Sequence, residues 1–414
     1  MALSLLYLSH YLSLFMLVST SSVLGQDCVF NVKDYGAIPD GEADNSKAFL
    51  TAWSAACQAK QDCTVLIPDG TFIVNPVVFQ GPCNGQITFQ IDGVVMAPTD
   101  PCIGLENWVA FDHVNGLIVQ GQGLFDGQGA SAWEQTNCKK TLDCNAPPSS
   151  IRFNFVTTAT IQGITSLNSK FFHFDVFGSD DVTFANVKAT APADSPNTDG
   201  IHVGNSNRVT ITDSNIATGD DCVSLGPGSK NINVTRVNCG PGHGISIGSL
   251  GRQQGEEDVR GITVRNCTIS NTENGVRIKT WAPSPPSTAS DVTFQDIIMN
   301  NADNPIIIDQ KYCPHDSCSD QAFYYRPLIF PYIYIYMQGN SLVQLSDIKF
   351  INIQGSSSAK TAVKLQCSES VPCQDIELDT INITYHSDNE ETASSCSNAN
   401  VNYSGTQNPP PCPQ

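Results

Sequence analysis

Short apolar runs separated by Gly, Asn and Asp recur along most of this chain. Thr64-Val-Leu-Ile, Gly116-Leu-Ile-Val-Gln, Phe172-His-Phe-Asp-Val and Asp181-Val-Thr-Phe are examples. Runs of this kind read as strands, because side chains alternate between the two faces of a strand. One strand repeats most clearly: Val182-Thr-Phe, Val209-Thr-Ile, Ile232-Asn-Val, Ile262-Thr-Val and Val292-Thr-Phe, at spacings of 27, 23, 30 and 30 residues. No long helical pattern intervenes. Strand and turn repeating every ~20–50 residues predict a solenoid. The expected fold class is all-β: a single-stranded right-handed parallel β-helix of about ten coils, without a domain boundary. A propeller or jelly roll fits less well, because the coil length varies. Near the start, Phe30 to Gly36 reads as a first strand. Asp44 or Asn45 is placed to cap a helix running to about Ala59. Phe49, Ala52, Trp53, Ala56 and Cys57 share one face of that helix. A solenoid leaves its core open at the ends, so this short N-terminal helix is the expected cap.

The repeat also places chemistry. Ile201-His202-Val203, Val223-Ser224-Leu225 and Ile245-Ser246-Ile247 are three short strands, and two residues before each stand Asp199, Asp221 and His243, 22 residues apart. Equal positions in successive coils stack ~4.8 Å apart, so these residues are expected in one column on an outer face. Asp220 adds a carboxylate beside Asp221. Val276-Arg277-Ile278 falls in the same phase, so Arg277 takes the outward place of His202, Ser224 and Ser246, and Lys279 points outward too. Carboxylates held together cannot all ionise easily, and one is pushed upward in pKa. A protonated carboxyl beside an ionised one is the requirement for cleaving a glycosidic bond. The fixed cations point to a substrate that is itself anionic.

SPNTDG, TGDDC, GPGHG and RIK, in this order, resemble the four signature motifs of the polygalacturonases, the pectin-cutting enzymes of glycoside hydrolase family 28. The similarity runs from about Cys28 to about Thr384, and the chain resembles the pollen exo-acting members most. The resemblance implies hydrolysis of α-1,4-galacturonosyl linkages in homogalacturonan, with inversion and without metal or cofactor. It implies Asp220 as general acid and Asp199 and Asp221 on the attacking water; the place of His243 in the column points to tuning the acid's proton or orienting a carboxylate. It assigns Arg277 and Lys279 to the galacturonate carboxylate, Tyr312 to the sugar-binding face and Asn197 to the loop or the sugar. Exo attack releasing galacturonate is expected, with endo attack as the alternative. A pectate lyase would share the β-helix but needs calcium, and a wall-binding protein without turnover would not need all of these residues.

Residues 1–25 carry no charged side chain and read as a secretory signal peptide, although the usual Lys or Arg near Met1 is missing. The run is short for a membrane span of ~20 apolar residues. A secreted, extracellular protein of the plant cell wall, acting as a monomer, is therefore expected, with the catalytic domain over 26–395 and a tail over 396–414. The formal net charge of −19 argues against nucleic acid and anionic membranes as partners. Sixteen cysteines suit disulfides in such a chain. Cys57/Cys63, Cys138/Cys144, Cys313/Cys318 and Cys367/Cys373 are spaced to close short loops, Cys222 and Cys239 to bridge coils, and Cys396 with Cys412 to tie back the tail. Asn233, Asn266, Asn382 and Asn402 head N-glycosylation sequons. Lys139 and Lys140 lie in a loop that could meet uronate groups, or simply be solvated. Residues 322–340, AFYYRPLIFPYIYIYMQGN, break the pattern. They read as an atypical insert, either a translated intron or an apolar loop, expected to leave the solenoid at a coil corner.

Overall fold

The computed structural model describes residues 28–100, 106–133, 147–314, 322–325, 333–336, 339–385 and 391–413. The expected signal segment, the Cys138–Cys144 loop with Lys139 and Lys140, and Cys318 lie outside them.

The apolar runs wind into a β-helix whose strands pair in parallel from coil to coil. One sheet is an uninterrupted ladder of 11 strands, from Val77–Gln80 to Ala393–Ser397, each paired with its counterpart in the next coil. The other faces form a 22-stranded sheet. In it Val182, Val209, Ile232, Ile262 and Val292 stand in register, as the sequence repeat predicts. Their side chains are all buried.

Corners between coils are built from stacked amides and carboxylates. Asn231 Nδ2 donates to Asn207 Oδ1 at 2.8 Å, Asn207 Nδ2 to Asp180 Oδ1 at 2.9 Å, and Asn238 Nδ2 to Asn215 Oδ1 at 2.9 Å. Each corner thus satisfies the polar groups of the corner above it.

The helix Ser46–Gln58 closes the N-terminal end, with Ala48, Phe49, Ala52, Trp53 and Ala56 buried. Asn45 holds the N-cap position without a side-chain capping bond, and Asp44 Oδ1, one residue earlier, accepts from Ser46 N at 3.0 Å. The Trp53 ring sits 5.1 Å from Phe79 and 5.7 Å from Phe111, and its Nε1 donates to the Gln80 carbonyl. The first strand is shorter than expected. Val29–Asn31 pairs with Thr64–Leu66, and Val32–Tyr35 then turns as a 3₁₀ segment because Val32 must dive into the core.

One disulfide expectation fails and three hold. Cys57 bonds Cys83, and Cys63 bonds Cys28, rather than each other. Cys63 opens a strand laid beside Cys28, while Cys57 rides on the cap helix facing another coil. Cys222–Cys239, Cys367–Cys373 and Cys396–Cys412 form as spaced. Cys267 is a buried free thiol, so the even count does not mean full pairing. Within the unusual segment, Ala322–Tyr325 pairs antiparallel with Ile333–Tyr336, the one antiparallel pairing among the described residues. No helix among the described residues is long and apolar enough to cross a membrane.

Candidate active site

The 11-stranded sheet carries the site on its outward face. His202, Ser224, Ser246 and Arg277 lie side by side on four consecutive strands, as their common phase predicts. The turns entering those strands hold the acidic residues. Thr198 ties two of these turns together: its Oγ1 accepts from Gly219 N at 3.0 Å and meets Ser195 Oγ at 2.6 Å. Glycines flank His243 for steric reasons. A Cβ on Gly242 would stand 2.5 Å from the Asp220 carbonyl, and one on Gly244 would stand 2.1 Å from that of Asn274; both have positive φ. The close approach brings His243 N to the Asp220 carbonyl at 2.8 Å.

Asp221 is the anchor. Its side chain is 1% exposed, and both of its oxygens are occupied. Oδ1 accepts from Ser246 Oγ at 2.7 Å and Arg277 Nη2 at 2.9 Å; Oδ2 accepts from Lys279 Nζ at 2.7 Å. Burial would raise its pKa, but Lys279 and Arg277 outweigh burial and bring it to about 2. Both cations are in turn raised by Asp221 against their own burial. The expectation of two cations reserved for substrate is thereby modified: each neutralises a carboxylate of the protein. Arg277 spends Nη2 on Asp221 and Nε on Ser246, which leaves Nη1 for another acceptor. Lys279 Nζ also lies 5.4 Å over the Tyr312 ring, which meets Trp281 edge-on.

Asp199, one coil earlier, has the opposite surroundings. It accepts from Ser224 Oγ at 2.6 Å. Burial, then the charges of Asp220 and Asp221, push its pKa well above the usual carboxylic value. Of the two buried carboxyls, Asp199 is therefore the one whose surroundings favour the protonated form. His202 Nδ1 meets the same Ser224 hydroxyl at 2.8 Å, and its ring stacks on Phe172. Burial lowers the His202 pKa and keeps that imidazole neutral.

Asp220 turns toward His243 and Asn197. His243 Nδ1 lies 3.0 Å from Asp220 Oδ1, and Asn197 Nδ2 lies 3.4 Å from Oδ2. The Asp220 bond raises His243 above the ordinary imidazole range against the pull of burial, and Glu273 and Asp221 add to it. Glu273 Oε2 stands 3.2 Å from His243 Nε2. Sequence reasoning missed Glu273 as a site residue, although it precedes its strand by three residues just as Asp220 does. Ser224 and Ser246 had been placed only as outward positions, and the structure shows that they hold Asp199 and Asp221.

One atom from each of Asp220, Asp221 and His243 lies within 4.8 Å of the others. This set does not suit a cation, because both Asp221 oxygens are already taken by Arg277 and Lys279, whose charges oppose a further one.

Four motifs in one cleft, in this order, agree with a sequence comparison. The profile of the family described as "Glycosyl hydrolases family 28" matches residues 57–325 and 335–405. The chain belongs to glycoside hydrolase family 28. Among relatives in this family, the exopolygalacturonase of Platanus acerifolia is 50% identical over 383 residues, covering 92% of this chain and 97% of that protein. Among solved structures, the endo-xylogalacturonan hydrolase of Aspergillus tubingensis superposes with a TM-score of 0.72 at 25% identity, covering 91% of this chain and all of that one. The Thermotoga maritima exopolygalacturonase gives a TM-score of 0.69 at 20% identity, covering 87% and 88%. The family profile leaves out residues 326–334, inside the unusual segment 322–340.

Proposed function

We propose that this chain is a secreted exo-acting polygalacturonase, which removes galacturonate from the end of a homogalacturonan chain by inverting hydrolysis. The observation that carries this reading is the pair Asp199 and Asp221: equal places on adjacent coils, one favouring its proton, the other held ionised. Such a pair can seat a water, and its ionised member, Asp221, takes the proton that the water loses on attack. Asp220 gives a proton to the leaving oxygen, and the His243 imidazolium at its Oδ1 replaces that proton. Arg277 Nη1 and Lys279 meet the uronate carboxylate, with Arg supplying the planar fork and Lys the point charge. Tyr312 borders this cation pair and faces the sugar, and Asn197 steadies Asp220.

Occupancy supports inversion. Asp220 and Asp221 have oxygens within 4.8 Å of each other, closer than the ~6.5–9.5 Å between carboxyls in most inverting enzymes. In a retaining enzyme a carboxylate attacks the sugar carbon. Here both Asp221 oxygens are tied to Ser246, Arg277 and Lys279, which disfavours Asp221 as a nucleophile and supports attack by water.

Exo attack is favoured by the exopolygalacturonase relatives, at 43–50% identity. The disulfides suit an extracellular protein. With residues 1–25 as signal peptide, the protein reaches the plant cell wall, acting there as a monomer without nucleic acid, membrane or cofactor. Asn266, Asn382 and Asn402 are exposed enough to carry glycans, and Asn233 is half-buried.

The test is the early product profile on polygalacturonate, with proton NMR reading the anomer before it mutarotates. Monogalacturonate alone, formed with inverted configuration, is expected. A ladder of oligomers would mean endo attack, and an unsaturated product absorbing in the ultraviolet would mean a lyase.

A further inference from the structure

His243 is held by carboxylates at both ring nitrogens. Nδ1 lies 3.0 Å from Asp220 Oδ1, and Nε2 lies 3.2 Å from Glu273 Oε2. A neutral imidazole has one N–H and can donate to only one of them; an imidazolium donates to both. Glu273 is fixed by the ladder of the next coil. Its N donates to the Gly242 carbonyl at 2.9 Å, and its own carbonyl accepts from Asn304 N at 3.0 Å and Asn304 Nδ2 at 3.0 Å. The chain from Asp220 through His243 to Glu273 therefore runs across three successive coils. His243 is the one direct ion-pair partner of Glu273 among the described residues, and Arg277 feels the Glu273 charge from farther off.

We propose that Glu273 is a positioning residue for glycosidic cleavage: its carboxylate clamps Nε2 of the His243 imidazolium and so keeps the Nδ1 proton aimed at Asp220. This rests on the polygalacturonase reading and assigns the residue that keeps the acid supplied with protons. The charged groups around His243 are Asp220 and Asp221 from the preceding coil and Glu273 from the following one. Arg277 and Lys279 face Asp221 on the strand after Glu273. Loss of the Glu273 charge removes one anion favouring the imidazolium. The direction follows: His243 then gives up its proton at lower pH, and the alkaline limb of activity moves with it. Glu273 is about half exposed, with 54% of its side chain open to solvent. Solvent screening therefore keeps the effect modest, about half a pH unit.

The experiment uses the full secreted chain as wild type, Glu273→Gln and Glu273→Asp. The titration of His243 is followed by NMR, with its resonance assigned through His243→Gln, alongside kcat/KM on polygalacturonate against pH. In Glu273→Gln, which keeps the size and an acceptor oxygen but no charge, both midpoints are expected to fall by about half a unit. Its kcat should drop more at neutral pH than on the acid side, and Glu273→Asp should recover part of the shift. Unmoved midpoints, or a loss uniform across pH, overturn the proposal. So does a shifted His243 titration with an unshifted activity limb, because Glu273 would then act on the imidazole without serving the reaction. Failure of the polygalacturonase reading looks different: wild type releases no galacturonate, while the NMR titration still reports whether Glu273 clamps His243.

Discussion

Asp199 and Asp221 differ in surroundings far more than in position. Asp199 faces a serine hydroxyl and two other carboxylates, with the Lys279 charge opposing them more weakly, and Asp221 is bonded to two cations and a serine. Their effects on stability therefore have opposite signs. Asp199 has a raised pKa in the folded chain. The stability it contributes is present below the unfolded value of about 4 and declines as pH rises toward the folded value. Asp199→Asn is expected to abolish activity yet raise stability near pH 7 by about 1 kcal/mol, with little change at pH 3. Asp221 falls to about 2 in the folded chain. Its contribution is present above about pH 4 and is lost as pH falls through 2. Asp221→Asn strands Arg277 and Lys279, 8% and 7% exposed, and should cost about 3–5 kcal/mol near neutrality. Urea melts of both variants at pH 3 and pH 7 check this; equal shifts in the same direction would refute the electrostatic account. At this scale the sequence showed who stands in the cleft but not who touches whom. The 22-residue spacing put Asp199, Asp221 and His243 in one column, yet the choice of His243 for Asp220 depends on the turn carrying it. The same holds for Cys57, whose partner is set by the facing coil and not by the nearest cysteine in sequence.

Elements were more legible than contacts, because a coil repeats its demand every turn. Core positions in the Val182 to Val292 series had to be apolar in every coil, and that demand is visible as a period. The cap helix was visible from one apolar face. Its importance lies in Trp53, which fits among Phe79, Phe89 and Phe111 and satisfies the Gln80 carbonyl. Trp53→Ala should cost about 3–5 kcal/mol. It should also uncover unpaired strand edges in the first coils, which favours association. Thermal melts and size-exclusion chromatography would detect both, and an unchanged melting point would show that the helix does not hold the end closed. The extent of the first strand was less legible: Val32 looks like a strand residue, but burial turns the backbone into a 3₁₀ segment there.

At the scale of the whole molecule, a chain of formal charge −19 must take up a polyanion. The long-range field opposes association, and on the proposed reading the local contacts at Arg277 and Lys279 favour it. Salt separates the two, because exposed charges are screened over roughly 10 Å at 0.1 M while buried pairs are screened much less. KM on long polygalacturonate is expected to fall as ionic strength rises from about 10 mM to about 100 mM. A steady rise over that range would show that surface repulsion does not govern encounter. The global charge was plain from composition; the buried pairing of the cations was not, since it depends on an aspartate more than fifty residues away.

The site residues lie on strands and tight turns of consecutive coils, in a register set by backbone pairing, whereas the coils differ in length at their corners. Inherited change can therefore act on the two separately. A corner that lengthens alters how far along a polymer the enzyme grips, while the bond-breaking residues stay in step. Lineages built on this scaffold can trade nibbling for cutting mid-chain without reinventing the reaction.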